Sequence, residues 1–248
     1  MEVTKKLKGK VAIVTGAGRG IGKAIALAYA DEGASVCCVA RTLVEIASTT
    51  KEIEQHGGNG LAVQTDVTHL ESVRRMVKMT VDTFGGLDIL VICAGGQYDR
   101  RLVEESVPED WLMTLEVNLI GAYYCAKTAI PYMKQKGAGK IITIGSGLGH
   151  RGIPASSAYA CSKAGLWMLT RVLAQELWQD NISVNELIPG PVKTASSVDP
   201  KAEGSVLQYH TSEWLKEPED VKPLAIFLAT QPDKGPTAQS FSLMRRDN

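Results

Sequence analysis

Short apolar segments rich in β-branched residues alternate with longer helical segments along nearly the whole chain. The segments predicted as strands are 11–15, 34–40, 60–65, 87–93, 140–145, 182–188 and 238–244. The segments predicted as helices are 20–32, 43–56, 69–84, 109–136, 158–179 and 217–230. Most of these strands are continuously apolar instead of alternating, which is typical of a parallel sheet covered on both faces. The order predicts right-handed strand–helix–strand units in an α/β fold with a doubly wound, Rossmann-like sheet.

No linker or low-complexity stretch divides the 248 residues, so we expect a single domain over 1–248. The segment 190–217 has weak periodicity and many Gly, Pro and Ser residues. A connection of that length inside a compact domain is usually functional. The sequence therefore predicts that 190–217 borders the substrate and acts as a mobile lid. The side chains expected to shape the substrate pocket are Gln97, Tyr98, His150, Arg151, Tyr209 and Trp214, and a plain surface position is the alternative for His150.

The overall composition excludes several classes of function. Lys plus Arg and Asp plus Glu both number 27, so no net charge recruits nucleic acid or an anionic membrane. No apolar run approaches the length of a membrane span, and no signal peptide precedes the first strand. The 5 cysteines lack C-x-x-C spacing, which favours reduced thiols in a cytoplasmic protein. The 4 histidines lie far apart in sequence, and no metal site is predicted.

The stretch VAIVTGAGRGIGKAIALAYA combines a strand, a glycine-rich turn and an amphipathic helix. Glycines in such a turn let the backbone approach a pyrophosphate at the positive end of the helix. A plain tight turn is the alternative, and the position after the first strand favours dinucleotide binding. The residues of this loop predicted to bind a coenzyme are Gly16, Gly18, Arg19, Gly20, Ile21 and Gly22.

The end of the second predicted strand indicates which coenzyme is used. An acidic residue there would hold the ribose 2′-hydroxyl of NAD, whereas an arginine suits the 2′-phosphate of NADP. The chain has Arg41 and Thr42 there and no acid, and Arg19 can approach the same phosphate. Two solvated surface arginines are the alternative interpretation. The sequence favours NADP(H).

A tyrosine and a lysine four residues apart occur three times, at Tyr123/Lys127, Tyr132/Lys136 and Tyr159/Lys163. On a helix this spacing places both side chains on one face, where the ammonium group favours the phenolate. Ligands of doubly wound sheets lie outside the carboxyl ends of the strands. Only the third pair opens the helix that follows strand 140–145, and Ser146 ends that strand. We therefore predict Tyr159 as the proton donor and Ser146 as a hydrogen-bond donor to the substrate oxygen.

These motifs together resemble the short-chain dehydrogenase/reductase family. The resemblance covers TGAGRGIG, Asp66-Val67, Cys93-Ala94-Gly95, Asn118, Ser146, Tyr159-x-x-x-Lys163 and Pro189-Gly190, in the family's order and spacing. It is closest in kind to the single-domain members that include 3-oxoacyl-carrier-protein reductases and carbonyl reductases.

The resemblance implies a role for each of these positions. Asn118, Ser146, Tyr159 and Lys163 would form the catalytic tetrad, with Asn118 anchoring a water that relays protons to Lys163. Asp66 and Val67 would contact the adenine, and Lys163 the nicotinamide ribose. The remaining implied coenzyme contacts are Cys93, Ala94, Gly95, Tyr159, Pro189, Gly190, Val192 and Thr194.

The chain departs from the family pattern at two places. Cys93 stands where the family usually has Asn, and a thiol cannot reproduce the hydrogen bonds of an amide. The C-terminal QSFSLMRRDN replaces the frequent V-D-G-G ending, so the resemblance does not carry over the substrate.

These observations predict a hydride transfer between NADP(H) and a ketone or secondary alcohol, with an acyl thioester among the possible substrates. We also expect a homo-oligomer, by resemblance a tetramer. Tyr124, Trp167 and Leu173 are candidate interface residues, and core packing is the alternative for each of them. The alternatives are an NAD-dependent dehydrogenase of alcohols or sugars and a silent NADP-sensing module. A sugar-nucleotide epimerase would need a larger C-terminal region than this chain has.

Overall fold

The computed structural model describes residues 5–194 and 214–244, and within them one seven-stranded parallel sheet. The strands are β1 Val11–Thr15, β2 Ser35–Ala40, β3 Asn59–Gln64, β4 Ile89–Ile92, β5 Gly139–Ile144, β6 Ile182–Ile188 and β7 Ser240–Ser242. Their order in the sheet is β3-β2-β1-β4-β5-β6-β7. The order turns back at β1, from which β2 and β3 lie on one side and the later strands on the other. The predicted doubly wound α/β fold is confirmed.

Seven α-helices connect and cover the strands in the described ranges. They are α1 Gly20–Asp31, α2 Leu43–Gln55, α3 Leu70–Phe84, α4 Pro108–Leu115, α5 Gly121–Lys136, α6 Ser157–Leu177 and α7 Lys222–Ala229. No helix in these ranges is both long and apolar enough to cross a membrane.

Two predicted helices differ from the observed ones. The segment 109–136 is interrupted by a π-helical turn, Glu116–Ile120, between α4 and α5. Such turns often occur at functional positions, and this one carries Asn118. The segment 217–230 begins with a 3₁₀ turn, Pro218–Val221, because two prolines remove amide donors from the start of the helix.

Both faces of the sheet are buried, as the continuously apolar strands predict. Along β1, Ile13 faces a core formed with α3, α5 and α6, whereas Ala12 and Val14 face a second core formed with α1, α2 and α7. All five residues of β1 are buried. β1 therefore lies at the buried centre of the sheet, between the two cores.

The two described ends of the segment 190–217 meet each other. Val192 and Lys216 form an isolated parallel bridge, and the Lys193 amide donates to the Lys216 carbonyl at 2.8 Å. Lys193 and Glu217 form an ion pair beside this bridge. The middle of the segment, 195–213, lies outside the described residues, so the lid over 190–217 stays a prediction.

Candidate active site

A cleft of about 490 Å³ lies at the carboxyl edge of the sheet, where the predicted coenzyme loop and the predicted catalytic pair both occur. It opens beside β1, β4 and β5, the strands at which the order of the sheet turns back. Ligands of doubly wound sheets bind at this kind of position. The predicted residues that line the cleft are Gly16, Gly18, Arg19, Gly20, Ile21, Gly22, Arg41, Thr42, Asp66, Val67, Cys93, Ala94, Gly95, Ser146, Tyr159, Lys163, Pro189, Gly190, Val192 and Thr194. Of the predicted catalytic and coenzyme-binding residues, Asn118 does not line it.

The glycine loop between β1 and α1 is packed too tightly for side chains. A β-carbon at position 22 would lie 2.2 Å from the carbonyl oxygen of Gly16, and Gly16 itself has φ +70°. No side chain caps the first turn of α1, so its first amide groups are not taken by a capping residue. The loop therefore brings backbone amides and the positive end of α1 to the cleft, which suits a pyrophosphate.

The two arginines predicted to distinguish NADP from NAD, Arg19 and Arg41, line the cleft together with the acidic Glu45. The Arg41 guanidinium donates to the Tyr98 hydroxyl at 3.3 Å, and Gln64 Nε2 holds the Arg41 carbonyl at 2.8 Å. Arg19 lies 3.7 Å from the carboxylate of Glu45, on the first turn of α2. Glu45 also lines the cleft, and sequence reasoning missed it. Its position in the sequence, shortly after the carboxyl end of β2, could have predicted that Glu45 lies at the cleft.

Asp66 follows β3 and is held in a tight turn. Its Oδ1 accepts hydrogen bonds from the Thr68 amide at 3.0 Å and the Thr68 hydroxyl at 2.8 Å. Desolvation acts to raise the pKa of the Asp66 carboxyl, but the Thr68 hydrogen bonds, His69 and Arg41 hold it below its ordinary value. Asp66 therefore presents an ionised carboxylate beside the cleft.

Cys93 lies where the family resemblance leads one to expect an amide, and a different residue supports the backbone there. Thr15 Oγ1 accepts from the Cys93 amide at 2.9 Å and from the Ala94 amide at 3.0 Å. Thr15 in turn donates to the Val91 carbonyl at 3.3 Å. Desolvation raises the pKa of the Cys93 thiol to about 11, although Lys163 acts to lower it. The thiol is thus a neutral wall of the cleft.

Tyr159 and Lys163 lie on the first turns of α6, with their side chains together. Lys163 Nζ is 5.7 Å from the centroid of the Tyr159 ring and donates to the Ile144 carbonyl at 2.8 Å. Lys163 is 6% exposed, so its ammonium is largely withdrawn from water beside the phenol. Within the described ranges, the Tyr159 hydroxyl makes no hydrogen bond. The Tyr159 hydroxyl, next to the Lys163 ammonium, can therefore donate its proton to a ligand in the cleft.

Ser146 caps the 3₁₀ turn Gly147–Gly149 that follows β5. Its Oγ accepts from the Leu148 amide at 3.2 Å. This contact uses the oxygen as an acceptor and leaves the hydroxyl hydrogen to donate. Ser146 can therefore donate to a ligand oxygen next to Tyr159.

Asn118 lies behind the cleft, in the π-helical turn, and is 1% exposed. Its carboxamide pairs with the Gly96 backbone, accepting from the amide at 2.8 Å and donating to the carbonyl at 2.9 Å. The same Nδ2 donates to Ser162 at 2.9 Å. Through these bonds Asn118 joins the loop after β4 to α6, next to Lys163.

The other two tyrosine–lysine pairs lie away from the cleft. Tyr123 is 42% exposed on α5, with Lys127 Nζ 5.8 Å from its ring centroid. Tyr132 packs against the core beneath α3 and α5. Neither tyrosine lines the cleft, so position in the fold separates Tyr159 from both.

Only some of the residues that we expected to shape the substrate pocket line the cleft. Gln97, Tyr98 and Arg151 line the cleft, together with Arg100 and Met244, which we did not predict. His150 does not line it and instead faces Glu186 and Trp167. Trp214 is 75% exposed away from the cleft, and Tyr209 lies outside the described residues.

Comparisons with known proteins agree on one family. The model of the short chain dehydrogenase family matches residues 10–203. A 3-oxoacyl-[acyl-carrier-protein] reductase of Synechocystis sp. is 36% identical over 239 residues, which is 96% of both chains. An oxidoreductase of Staphylococcus aureus described as uncharacterized is 34% identical and covers 91% of this chain and 93% of its own.

Solved structures are similar over almost the whole chain. A dehydrogenase/reductase from Sinorhizobium meliloti has a TM-score of 0.87 at 35% identity, covering 96% of this chain and 95% of its own. An NAD⁺-bound xylitol dehydrogenase has a TM-score of 0.90 at 26% identity, covering 97% of this chain and 99% of its own.

Proposed function

Because the chain belongs to the short-chain dehydrogenase/reductase family, we propose that it is an NADP(H)-dependent reductase of ketones. The observation that carries this proposal is the convergence of Ser146, Tyr159 and Lys163 with the glycine loop on one cleft. The family uses a nicotinamide coenzyme, which supplies the hydride for the reaction.

The chain's own residues account for the rest of the chemistry. Ser146 donates a hydrogen bond to the substrate oxygen and stabilises the negative charge that develops there. The Tyr159 hydroxyl gives that oxygen its proton, and the ammonium of Lys163 stabilises the phenolate left behind. Asn118 fixes the loop at Gly96 against α6, and we propose that it also anchors the water that resupplies the proton.

The same cleft supports the coenzyme contacts. The amides of 16–22 suit the pyrophosphate, and Asp66 and Val67 the adenine. Residues 93–95 would line the adenosine side, and 189–194 the nicotinamide. Among the residues that the structure describes, five basic side chains and two acids line the cleft, which suits an anionic coenzyme: Arg19, Arg41, Arg100, Arg151 and Lys163 against Glu45 and Asp66.

The test of the active site uses the three tyrosines. Tyr159→Phe keeps the ring and removes the transferable proton, so turnover should fall about 10²–10⁴-fold. Tyr123→Phe and Tyr132→Phe are matched controls that remove the same hydroxyl away from the cleft, and both should keep turnover. Steady-state kinetics over a panel of ketones, with coenzyme binding measured separately, decides the matter. Normal turnover by Tyr159→Phe would overturn the assignment.

We expect NADPH to be preferred over NADH because Arg19 and Arg41 both line the cleft and supply guanidinium donors for a 2′-phosphate. A charge-assisted hydrogen bond contributes about 1.5–3 kcal/mol, which corresponds to roughly 10- to 100-fold in kcat/KM. Replacing Ala40 by Asp and Arg41 by a neutral residue should reverse the preference. Equal kcat/KM with the two coenzymes in the unmodified protein would contradict it.

An NAD-dependent dehydrogenase of alcohols or sugars is the second candidate. Two observations favour it: Glu45 balances the charge of Arg19, and one structural neighbour is an NAD⁺-bound xylitol dehydrogenase. Oxidation of a polyol panel with NAD⁺, faster than any ketone reduction with NADPH, would select this candidate.

Among ketones, we propose 3-oxoacyl thioesters as the first class to test. The similarity to a 3-oxoacyl-[acyl-carrier-protein] reductase supports this class, and so do the cationic Arg100 and Arg151 in the cleft, because thioester carriers are anionic. A 3-oxoacyl-CoA should therefore have a lower KM than an uncharged 3-oxoacyl thioester of the same acyl chain.

We also propose that the enzyme is a cytoplasmic homo-oligomer, with a tetramer as the expected form. All five cysteines are free thiols. Leu173 is buried in the core and Tyr124 packs against it, which favours the core alternative for these two, whereas Trp167 is half-buried and contacts His150. Exposed apolar side chains instead lie on α4, the π-helical turn, α5 and α6: Leu112, Met113, Ile120, Tyr123, Met168 and Val172. Light scattering on the purified protein tests the assembly.

A further inference from the structure

We propose that Glu186 and His150 form a positioning pair that holds the Ser146 turn in its catalytic geometry. The proposal rests on the proposed function, in which Ser146 donates to the substrate oxygen. The two residues lie 36 positions apart, on β6 and on the turn after β5, and His150 Nε2 is 3.0 Å from Glu186 Oε2. Neither residue lines the cleft, so each would act through Ser146.

Glu186 is a carboxylate with no exposure to solvent in the middle of β6. Its Oε2 also accepts a hydrogen bond from the Ser240 hydroxyl at 2.5 Å. Within the described residues, its Oε1 has no hydrogen-bond partner. Burying such a group costs several kcal/mol unless donors surround it. His150 and Ser240 are the donors that this carboxylate has.

The carboxylate lies directly against the backbone that carries Ser146. A β-carbon at position 145 would lie 1.9 Å from Glu186 Oε1, so only glycine fits there beside Glu186. The Gly145 amide donates to the Leu187 carbonyl at 2.9 Å, which continues the pairing of β5 with β6 up to Ser146. Glu186 thus fixes the start of the Ser146 turn.

His150 fixes the other end of the same turn. Its amide donates to the Gly147 carbonyl at 3.1 Å, and its ring meets the Trp167 ring edge-on at 5.1 Å between centroids. Trp167 belongs to α6, the helix that carries Tyr159 and Lys163. The imidazole therefore ties the Ser146 turn to β6 on one side and to the catalytic helix on the other.

The pair also connects the turn to the C-terminal strand. Ser240 belongs to β7, and Met244, just beyond it, lines the cleft. A β-carbon at position 147 would lie 2.4 Å from the Met244 sulfur, so the end of β7 closes over the Ser146 turn. The Glu186 carboxylate therefore contacts the end of β5 at Gly145, the turn at His150 and β7 at Ser240. These three elements set the position of the Ser146 hydroxyl.

The test begins with His150, because its side chain is 29% exposed, whereas that of Glu186 is fully buried. His150→Ala removes the donor to Glu186, and kcat should fall about 10- to 100-fold, as expected for a displaced catalytic group. The coenzyme dissociation constant should stay unchanged. His150→Gln can still donate to Glu186 and should recover most of the kcat. His56→Ala, at an exposed pair with Asp31 away from the cleft, is the matched control and should keep kcat.

Amide hydrogen exchange gives a readout that needs no substrate. In His150→Ala and Glu186→Gln, exchange should quicken at 147–150, while exchange in β1 and α1 stays as in the unmodified protein. The proposal is overturned if His150→Ala keeps both kcat and the exchange rates. It is equally overturned if kcat, coenzyme affinity and global stability all fall together, since a merely structural role predicts that result.

Ser146→Ala separates this proposal from the proposed function. If Ser146→Ala loses turnover while His150→Ala keeps it, Ser146 is catalytic and the positioning pair alone is wrong. If Ser146→Ala keeps full turnover, the catalytic role of Ser146 fails, and the positioning pair fails with it.

Discussion

At the scale of single residues, the loop after β4 shows how a side chain distant in sequence holds the backbone beside the cleft. The amide expected at position 93 is missing, yet the loop after β4 is held by Thr15, which receives both the Cys93 and the Ala94 amides. The sequence showed that position 93 carries a thiol and not a carboxamide, but it did not show that Thr15 binds the backbone there. Thr15 and Cys93 are 78 residues apart, and only the pairing of β1 with β4 brings them together.

The raised pKa of Cys93 predicts how its thiol reacts. Thiols react as thiolates, and a group with a pKa of about 11 is only about 0.1% ionised at pH 8. Iodoacetamide at pH 8 should therefore modify the exposed Cys161 first and leave Cys93 largely free. The rate at Cys93 should rise about tenfold per pH unit above pH 8 and level off only beyond pH 11, because the thiolate fraction grows until the pH passes the raised pKa. Peptide mass spectrometry after timed quenching measures both rates, and equal labelling at pH 8 would contradict the prediction.

At the scale of elements, apolar periodicity predicted most helices and strands, and hydrogen-bond detail decided the rest. The first six strands were predicted within two residues of each observed boundary. The last strand is only Ser240–Ser242, shorter than the predicted 238–244. The π-helical turn at 116–120 was missed because a single inserted residue barely disturbs the apolar pattern of a long helix. The Glu186–His150 pair was missed because neither residue belongs to a local motif.

The start of α2 carries a prediction about coenzyme choice. Glu45 lies 3.7 Å from Arg19 and lines the cleft, so its carboxylate competes with a 2′-phosphate for that arginine and repels the phosphate. Glu45→Gln removes the charge and keeps the size of the side chain. The ratio of kcat/KM for NADPH to that for NADH should rise several-fold, on the scale of an exposed ion pair, about 0.2–1 kcal/mol.

The matched control for Glu45→Gln is Glu52→Gln, farther along α2. Glu52 also pairs with a cation from α1, at 2.7 Å from Lys23, but it does not line the cleft. Its replacement should leave the coenzyme ratio unchanged. A ratio that responds equally to both substitutions would show that Glu45 acts through the packing of α1 against α2 and not through the phosphate.

At the scale of the whole molecule, the carboxyl ends and the amino ends of the strands carry different groups of side chains. The carboxyl edge carries the cleft, with the catalytic and coenzyme residues we propose. The amino edge carries a cluster of structural charges around Asp88, which accepts from the Val11 amide at 2.8 Å and from Lys136 Nζ at 2.5 Å. Lys10 Nζ lies 3.4 Å from the same carboxylate. The cluster joins β1, β4 and α5 at the end of the sheet opposite Tyr159.

This separation predicts that stability and catalysis can be changed independently. Asp88→Asn removes the charge that Lys10 and Lys136 face, so the free energy of unfolding should fall by about 1–3 kcal/mol. The buried strand β1 separates this cluster, at its amino end, from the glycine loop at its carboxyl end. The kcat and the coenzyme dissociation constant of the folded protein should therefore not change. Urea denaturation measures the first quantity and steady-state kinetics at a temperature well below the transition measures the second. His150→Ala should instead lower kcat at such a temperature, where the folded protein is still fully populated despite the donor that Glu186 has lost. If Asp88→Asn lowered kcat at unchanged stability, the two edges of the sheet would be coupled, and the division of roles argued from their side chains would be wrong.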